Sequence, residues 1–237
     1  MPKSRRFSRI WGIAAGSALL PLLLLLAAPE TAQAGCSDKP EPGVDWTKCQ
    51  KMRLVLRGED LSRAKFERVN LGSSDLMEAN LAGAVMVNAN LQRARLKEAN
   101  LQGADLTKAQ GGRANFEAAN LADAVLAKAE LPRANFAEAN LSGTDLSKAE
   151  FGRAAFQGAD LTGADLSYAN IARARFEDVR LAGVALTGAY TLLARFEGAD
   201  LSETLGLEQD QLEIACGDDD TKIPASLARP ESWPCGE

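Results

Sequence analysis

The stretch RANFEAANLADAVLAKAELPRANFAEAN, residues 113–140, nearly repeats after twenty residues, because its opening RANF at 113–116 returns at 133–136. A shorter period runs through it. Of the 30 positions taken every fifth residue over 56–201, 28 are Leu, Phe, Ile or Met. Two places before each, 23 of the 29 positions over 59–199 are Ala. A repeat this regular decides the fold before the propensities of single residues do.

Neither a helix nor a flat strand accommodates a five-residue period. Ala, Leu, Glu and Lys favour helix, but five residues of an α-helix advance by about 500°, so the Leu positions would spiral around every side. In a strand, successive Leu side chains would point to opposite faces because five is odd. The pattern predicts a coil with five-residue sides, in which each Leu or Phe and the Ala two places before it point inward.

The repeated unit resembles the motif of the pentapeptide-repeat family, A-(D/N)-L followed by two variable residues. It stands at Ala104-Asp105-Leu106, Ala119-Asn120-Leu121, Ala139-Asn140-Leu141, Ala159-Asp160-Leu161 and Ala164-Asp165-Leu166. The resemblance covers roughly residues 46–205. It implies an all-β solenoid, a right-handed quadrilateral β-helix with four pentapeptides per coil. On this basis residues 56–205 form a β-helix of about seven coils, between an N-terminal cap at 35–55 and a C-terminal cap at 206–237.

The period of twenty independently predicts four sides, since residues twenty apart must stack. A phenylalanine column should stack its rings at about 4.8 Å, the spacing of strands. An asparagine column should form an amide ladder, and a glycine column, broken by Asp123, predicts type II turns on one side and less demanding turns on the others. The columns are Phe116, Phe136, Phe156, Phe176 and Phe196; Asn80, Asn100, Asn120 and Asn140; and Gly83, Gly103, Gly143, Gly163 and Gly183.

The N-terminal residues have the pattern of a secretory signal peptide. Four basic residues precede an apolar run over 10–28, and Ala32-Gln33-Ala34 fits a signal-peptidase site. We predict a signal peptide at 1–34, cleaved after Ala34, and export to the periplasm or another extracytoplasmic space. An uncleaved membrane anchor and lipoprotein attachment at Cys36 are weaker alternatives. Arg5-Arg6 leaves Sec and twin-arginine export open.

Four cysteines, an even number, suit disulfides in an oxidising compartment. The thirty pentapeptides would span about 36 Å at about 4.8 Å per coil, far beyond the roughly 7 Å limit for bridged Cα atoms. We therefore expect local pairs, Cys36 with Cys49 in the first cap and Cys216 with Cys235 in the second. Residues 206–216 should form a short helix that stops at Gly217.

No catalytic, cofactor or metal site is predicted. The chain has no His, which removes the commonest general base and metal ligand. Asp160 and Asp165 occupy the polar place before an inward Leu, so we do not interpret them as an acid and base. The spacing of Asp218, Asp219 and Asp220 favours a solvated acidic loop over a calcium site. We expect a protein that is not an enzyme.

The candidate site is a stripe of arginines on one side of the coil. Over 91–195 this side carries eight arginines and no carboxylate: Arg93, Arg95, Arg113, Arg133, Arg153, Arg173, Arg175 and Arg195. The next side is mostly acidic. One interpretation is that each arginine reaches an acid across the corner, for instance Arg113 to Glu117, in exposed pairs of about 0–1 kcal/mol. The other is an anion-binding or protein-docking stripe.

The charge of the coil and the predicted location of the protein separate the functions that remain. The best-known activity of the resembled family is protection of DNA gyrase by acidic members that resemble DNA. Residues 35–200 hold 22 acids against 21 bases, and an exported protein would not meet gyrase. We therefore expect an exported, non-catalytic scaffold in the cell envelope, with an unknown protein or anionic envelope component as partner and no nucleic acid. It would be a monomer or an end-to-end homodimer, and the gyrase-interacting function is the alternative.

Overall fold

The computed structural model describes residues 35–235, and the predicted signal peptide at 1–34 lies outside them. We number each pentapeptide from its inward Leu or Phe, so that Phe136 is a first position. Fifth positions pair in parallel β-bridges with the residue twenty further on, from Asp45–Lys65 to Ala185–Leu205. Each bridge is isolated, because the chain turns on both sides of it. Twenty residues therefore make one coil of four five-residue sides, as the sequence predicts.

The turn on every side has the same geometry. The fourth-position N–H donates to the first-position carbonyl, as from Ala114 to Gly111 at 2.9 Å. The third position between them has positive φ, as in a type II turn. This holds for 22 residues other than glycine, including Arg113 at 60° and Asp123 at 57°. The prediction that only the glycine side needs such turns was wrong, because closing a square coil imposes the same turn on all four sides.

The inward columns form the core. The five phenylalanines of the predicted column stack with ring centroids 4.8, 5.1, 5.0 and 5.1 Å apart. All five are at most 1% exposed. The predicted amide ladder is also present, with Asn100 donating to Asn80 at 3.1 Å and Asn120 donating to Asn100 at 3.2 Å. These two contacts confirm that residues twenty apart stack directly.

The N-terminal segment folds against the first coil. Cys36 bonds to Cys49, with Cα atoms 5.5 Å apart, and the Trp46 indole donates to the Asp38 carbonyl at 3.2 Å. Lys51 breaks the apolar rule at a first position, and its ammonium lies 4.1 Å from the centre of the Trp46 ring. This cation–π contact explains how a lysine occupies that position.

Helix α1, Gln209–Glu213, follows the last pentapeptide. It is shorter than the helix predicted at 206–216, because Cys216 returns to the coil and bridges with Arg195. The buried Gln211 amide donates to the carbonyls of Leu186 and Ala189, both at 2.8 Å. Cys216 bonds to Cys235, with Cα atoms 5.5 Å apart. Both disulfides thus have the pairing predicted from the sequence, and α1 is too short to cross a membrane.

Candidate functional site: the arginine groove

Five arginines line an open groove that runs across successive coils. The groove has a volume of about 670 Å³. Third-position arginines form one wall, and second-position residues lie beside them. We call this surface the arginine groove; its residues are Gln92, Arg93, Gly112, Arg113, Pro132, Arg133, Gly152, Arg153, Ala172, Arg173 and Leu192.

The pentapeptide turn explains why the groove forms. Each arginine occupies the corner residue with positive φ, at 57° to 61°, and all five side chains are exposed. The neighbouring second positions are small at Gly112, Gly152 and Ala172, whereas Gln92, Pro132 and Leu192 occupy the same position in the other coils. The long arginine side chains stand beside short side chains in three of the coils, which leaves a depression there.

The eight predicted arginines divide into two columns with different contacts. Three of them, at fifth positions, pair with carboxylates: Arg95 with Asp75 at 3.2 Å, Arg175 with Glu177 at 3.2 Å and Arg195 with Glu197 at 2.9 Å. The five groove arginines make no ion pair and no side-chain hydrogen bond to any residue within 35–235. Only the fifth-position column therefore follows the ion-pair interpretation.

The proposed pair of Arg113 with Glu117 is not formed. Glu117 accepts instead from Lys97 at 2.8 Å, a residue of its own side one coil earlier. The hydrogen bond from Lys97 and its charge lower the pKa of Glu117, and the same contact raises the pKa of Lys97. Because Lys97 of the acidic side pairs with this carboxylate, the Arg113 guanidinium has no carboxylate partner among residues 35–235.

The groove ends at an apolar patch that the sequence analysis did not identify. Leu192 lines the groove, and Leu193 takes the third-position place that arginine holds in the preceding five coils. Leu193 is 41% exposed and Ile214 is 38% exposed. The Leu193 N–H donates to the Ile214 carbonyl, which brings the two residues together. The only sequence signal was the change from Arg to Leu at one step of the repeat.

Asp160 and Asp165, the acidic residues considered for catalysis, accept hydrogen bonds from backbone N–H groups. Asp160 accepts from the Thr162 N–H at 3.0 Å, and Asp165 accepts from the Ser167 N–H at 2.8 Å. The Thr162 hydroxyl and backbone N–H, and then the Arg180 charge, keep the pKa of Asp160 below its usual range. Both carboxylates therefore accept hydrogen bonds from the backbone of the following turn.

The acidic loop after Cys216 is also structural at its first residue. Asp218 accepts from the N–H groups of Gly198 at 3.0 Å and Thr221 at 2.9 Å. The Gly198 bond and then the Thr221 hydroxyl lower the pKa of Asp218. Throughout the described part of the chain, no three Asp, Glu or Cys side chains are grouped as a metal site.

Comparisons with known families match the repeat. A family model described as pentapeptide repeats (8 copies) matches residues 74–109. A second, described as a pentapeptide repeat region, matches residues 129–205. No curated protein matches the chain.

Solved structures of other proteins have a fold similar to that of this chain. Full-length QnrB1, a plasmid-mediated fluoroquinolone resistance protein, is 16% identical over 72% of this chain and 94% of its own, with a TM-score of 0.58. HetL, a pentapeptide repeat protein involved in heterocyst differentiation regulation in the cyanobacterium Nostoc sp. strain PCC 7120, is 27% identical over 82% of this chain and 93% of its own, with a TM-score of 0.24. Structural neighbours of this kind form right-handed quadrilateral β-helices, and the QnrB1 likeness shows the fold alone.

Proposed function

This chain belongs to the pentapeptide-repeat family, and we propose that it is an exported, non-catalytic scaffold of about seven coils, closed at its C-terminal end by the segment with α1. Its arginine groove would bind an anionic partner in the cell envelope. The observation that carries this proposal is a contrast on one side of the coil: five groove arginines have no ion pair among the described residues, whereas three other arginines are paired.

No carboxylate of residues 35–235 pairs with the groove arginines, which supports an external partner. Stacked like charges repel each other, and the five groove arginines gain no compensating ion pair from residues 35–235. A guanidinium presents several N–H donors in a planar fork that suits carboxylate, sulfate and phosphate groups. An anion bound along the groove would relieve the repulsion and satisfy these donors together.

A non-catalytic role is supported by the chemistry of the same surface. Arginine stays protonated at physiological pH and so cannot act as a general base. Asp160 and Asp165, the carboxylates closest to an acid and base pattern, are occupied in turns. Pentapeptide-repeat proteins are generally non-catalytic, and the groove offers binding without a reacting group.

Retention on a sulfated matrix tests anion binding. The full chain is expressed, the protein is recovered from the cell envelope fraction, and its elution from immobilised heparin is followed in a salt gradient. We expect retention at low salt, lost when Arg113, Arg133 and Arg153 become Gln. The matched control replaces Arg95, Arg175 and Arg195 with Gln. It removes the same charge from the same side but only from paired residues, so retention should largely persist. Equal losses in the two triple variants would contradict a role for the groove.

Cell fractionation tests the predicted export of the protein. We expect the protein outside the cytoplasm with Gly35 as its first residue, as cleavage after Ala34 requires. A cytoplasmic protein that begins at Met1 would overturn export and return the gyrase alternative. That alternative can be tested directly by adding the protein to a gyrase supercoiling assay. We expect no inhibition or protection, because residues 35–200 are close to neutral, with 22 acids against 21 bases.

A further inference from the structure

We propose that the arginine groove takes an acidic α-helix of a partner protein, laid along the coil axis with an apolar side chain on Leu192 and Leu193. This inference rests on the proposed anion-binding function and gives the partner a shape. It follows from the spacing of the arginines, the apolar end of the groove and the size of the residues along its floor.

The spacing of the guanidinium column favours a helix. Neighbouring coils lie 4.8 to 5.1 Å apart, as the stacked phenylalanine rings show. An α-helix returns a side chain to the same face about every 5.4 Å along its axis. The mismatch of about 0.4 Å per coil grows to roughly 2 Å over five arginines, which flexible arginine side chains can absorb.

The repeat distances of other extended partners do not match the spacing of the arginines at every coil. Same-face side chains of a β-strand recur about every 6.7 Å, so a strand whose side chains match Arg93 and Arg173 lies about 3 Å out of step at Arg133. Phosphates along one strand of B-DNA recur about every 3.4 Å, so they would align with only every second arginine. A carboxylate on each turn of a helix is the regular protein pattern that meets every arginine.

The apolar end of the groove distinguishes a protein helix from a uniform polyanion. Leu193 continues the arginine column as an exposed apolar side chain, and Ile214 lies next to it. A sulfated or phosphorylated polymer has nothing to bury there. A helix with one Leu, Ile or Phe a turn beyond its last acid would bury that side chain on Leu192 and Leu193 while its carboxylates meet the arginines.

The floor of the groove lets the helix approach and provides a way to block it. Gly152 has no atom of a neighbouring residue within 4 Å of where a Cβ would lie, and its φ is not positive. Leucine therefore fits at position 152 without backbone strain, and its side chain would project into the groove. Gly152→Leu should obstruct a helix while leaving all five arginines and the net charge unchanged.

Two peptides of about 18 residues, which is about five helical turns, provide the probes. The first carries Glu at i, i+4, i+7, i+11 and i+14 and Leu one turn further. The second has the same composition with Glu distributed around the helix. Binding to the protein recovered from the envelope is measured by fluorescence anisotropy at low salt. We expect the patterned peptide to bind roughly tenfold more tightly, a difference of about 1.4 kcal/mol.

The variants then separate the two proposals. Gly152→Leu and the triple Arg113, Arg133 and Arg153 to Gln variant should both lose the patterned peptide, and the Arg95, Arg175 and Arg195 to Gln variant should keep it. Equal binding of the two peptides, or full binding by Gly152→Leu, would overturn the helix while heparin retention leaves the anion-binding function in place. Loss of both peptide and heparin binding in the wild-type protein overturns both.

A second copy of the chain is the competing occupant. If sedimentation shows a wild-type oligomer that the groove triple variant dissolves, the groove is a self-association surface and the helix proposal is wrong. A wild-type monomer that binds the patterned peptide supports it.

Discussion

Two columns of this protein repeat every twenty residues and differ in what fixes them. The phenylalanine column lies inside the coil, with rings about one coil apart and almost no exposure. The groove arginine column lies outside, at the same spacing along the axis, and contacts no described carboxylate. The phenylalanine column is determined by the burial of its side chains. Since nothing within the described coil requires the second, the comparison separates residues that make the fold from residues that use it.

Substitution of Phe136 should have the largest effect. Its ring stacks on Phe116 and Phe156 and meets the edge of Phe151 at 5.8 Å. Phe136→Ala should lower the free energy of unfolding by about 3–5 kcal/mol, because it removes buried apolar surface and leaves a cavity. Denaturant unfolding measures this loss. A loss below about 1 kcal/mol would mean that the stack is not what stabilises the coil.

Arg133 is the exposed counterpart of Phe136, and its substitution should change the stability only through the backbone conformation at this position. Arg133→Ala should change the free energy of unfolding by no more than about 0.5 kcal/mol, because the side chain is exposed and unpaired. Arg133→Gly should be more stable than Arg133→Ala by roughly 0.5–1 kcal/mol, since glycine relieves the positive φ of 59° at a partly offsetting entropic cost. The same unfolding measurement tests both, and a destabilised Arg133→Ala would place this arginine among the residues that make the fold.

Asp200 should give an effect that is visible only in acid. The Ser202 hydroxyl and then the Lys222 ammonium lower the pKa of Asp200 from 3.8 to about 2. A lowered folded-state pKa gives stability that is present above pH 3.8 and lost as the pH falls through about 2. Because about half of this side chain is exposed, the loss should not exceed about 1 kcal/mol after solvent screening.

Unfolding of the wild type and of Asp200→Asn between pH 5 and pH 2 measures this contribution. The wild type should lose slightly more stability than the variant over that range. Parallel curves for the two proteins would show that the carboxylate contributes nothing.

The interior was predictable from the sequence because burial acts on residue type. The five-residue period in Leu, Phe and Ala indicates which side chains are buried. The coil, the phenylalanine stack and the asparagine ladder follow from that pattern of burial. The turn geometry was predicted less well. The glycine column drew attention to one side, although Arg113, Lys128 and Glu138 take the same positive φ under the demand of coil closure.

The arginine stripe could be located from the sequence but not resolved into two columns. Periodicity places Arg93 and Arg95 on one side, but the partner of a long exposed side chain depends on small differences in position. The fifth-position Arg95 lies directly above Asp75 across a bridge. The third-position arginines stand above one another. That difference of two places in the pentapeptide, together with the Leu193 end of the column, required coordinates.

The twenty-residue bridge register also makes the groove adjustable in fixed steps. Duplication of residues 113–132 would add one coil and one further arginine in line with the others, so a longer partner could be accommodated by repeating existing sequence. An insertion of five residues would instead turn every later side by one face, and the arginines would fall on two different sides of the coil. The length of this surface can therefore change in units of one coil, while its alignment tolerates no smaller change.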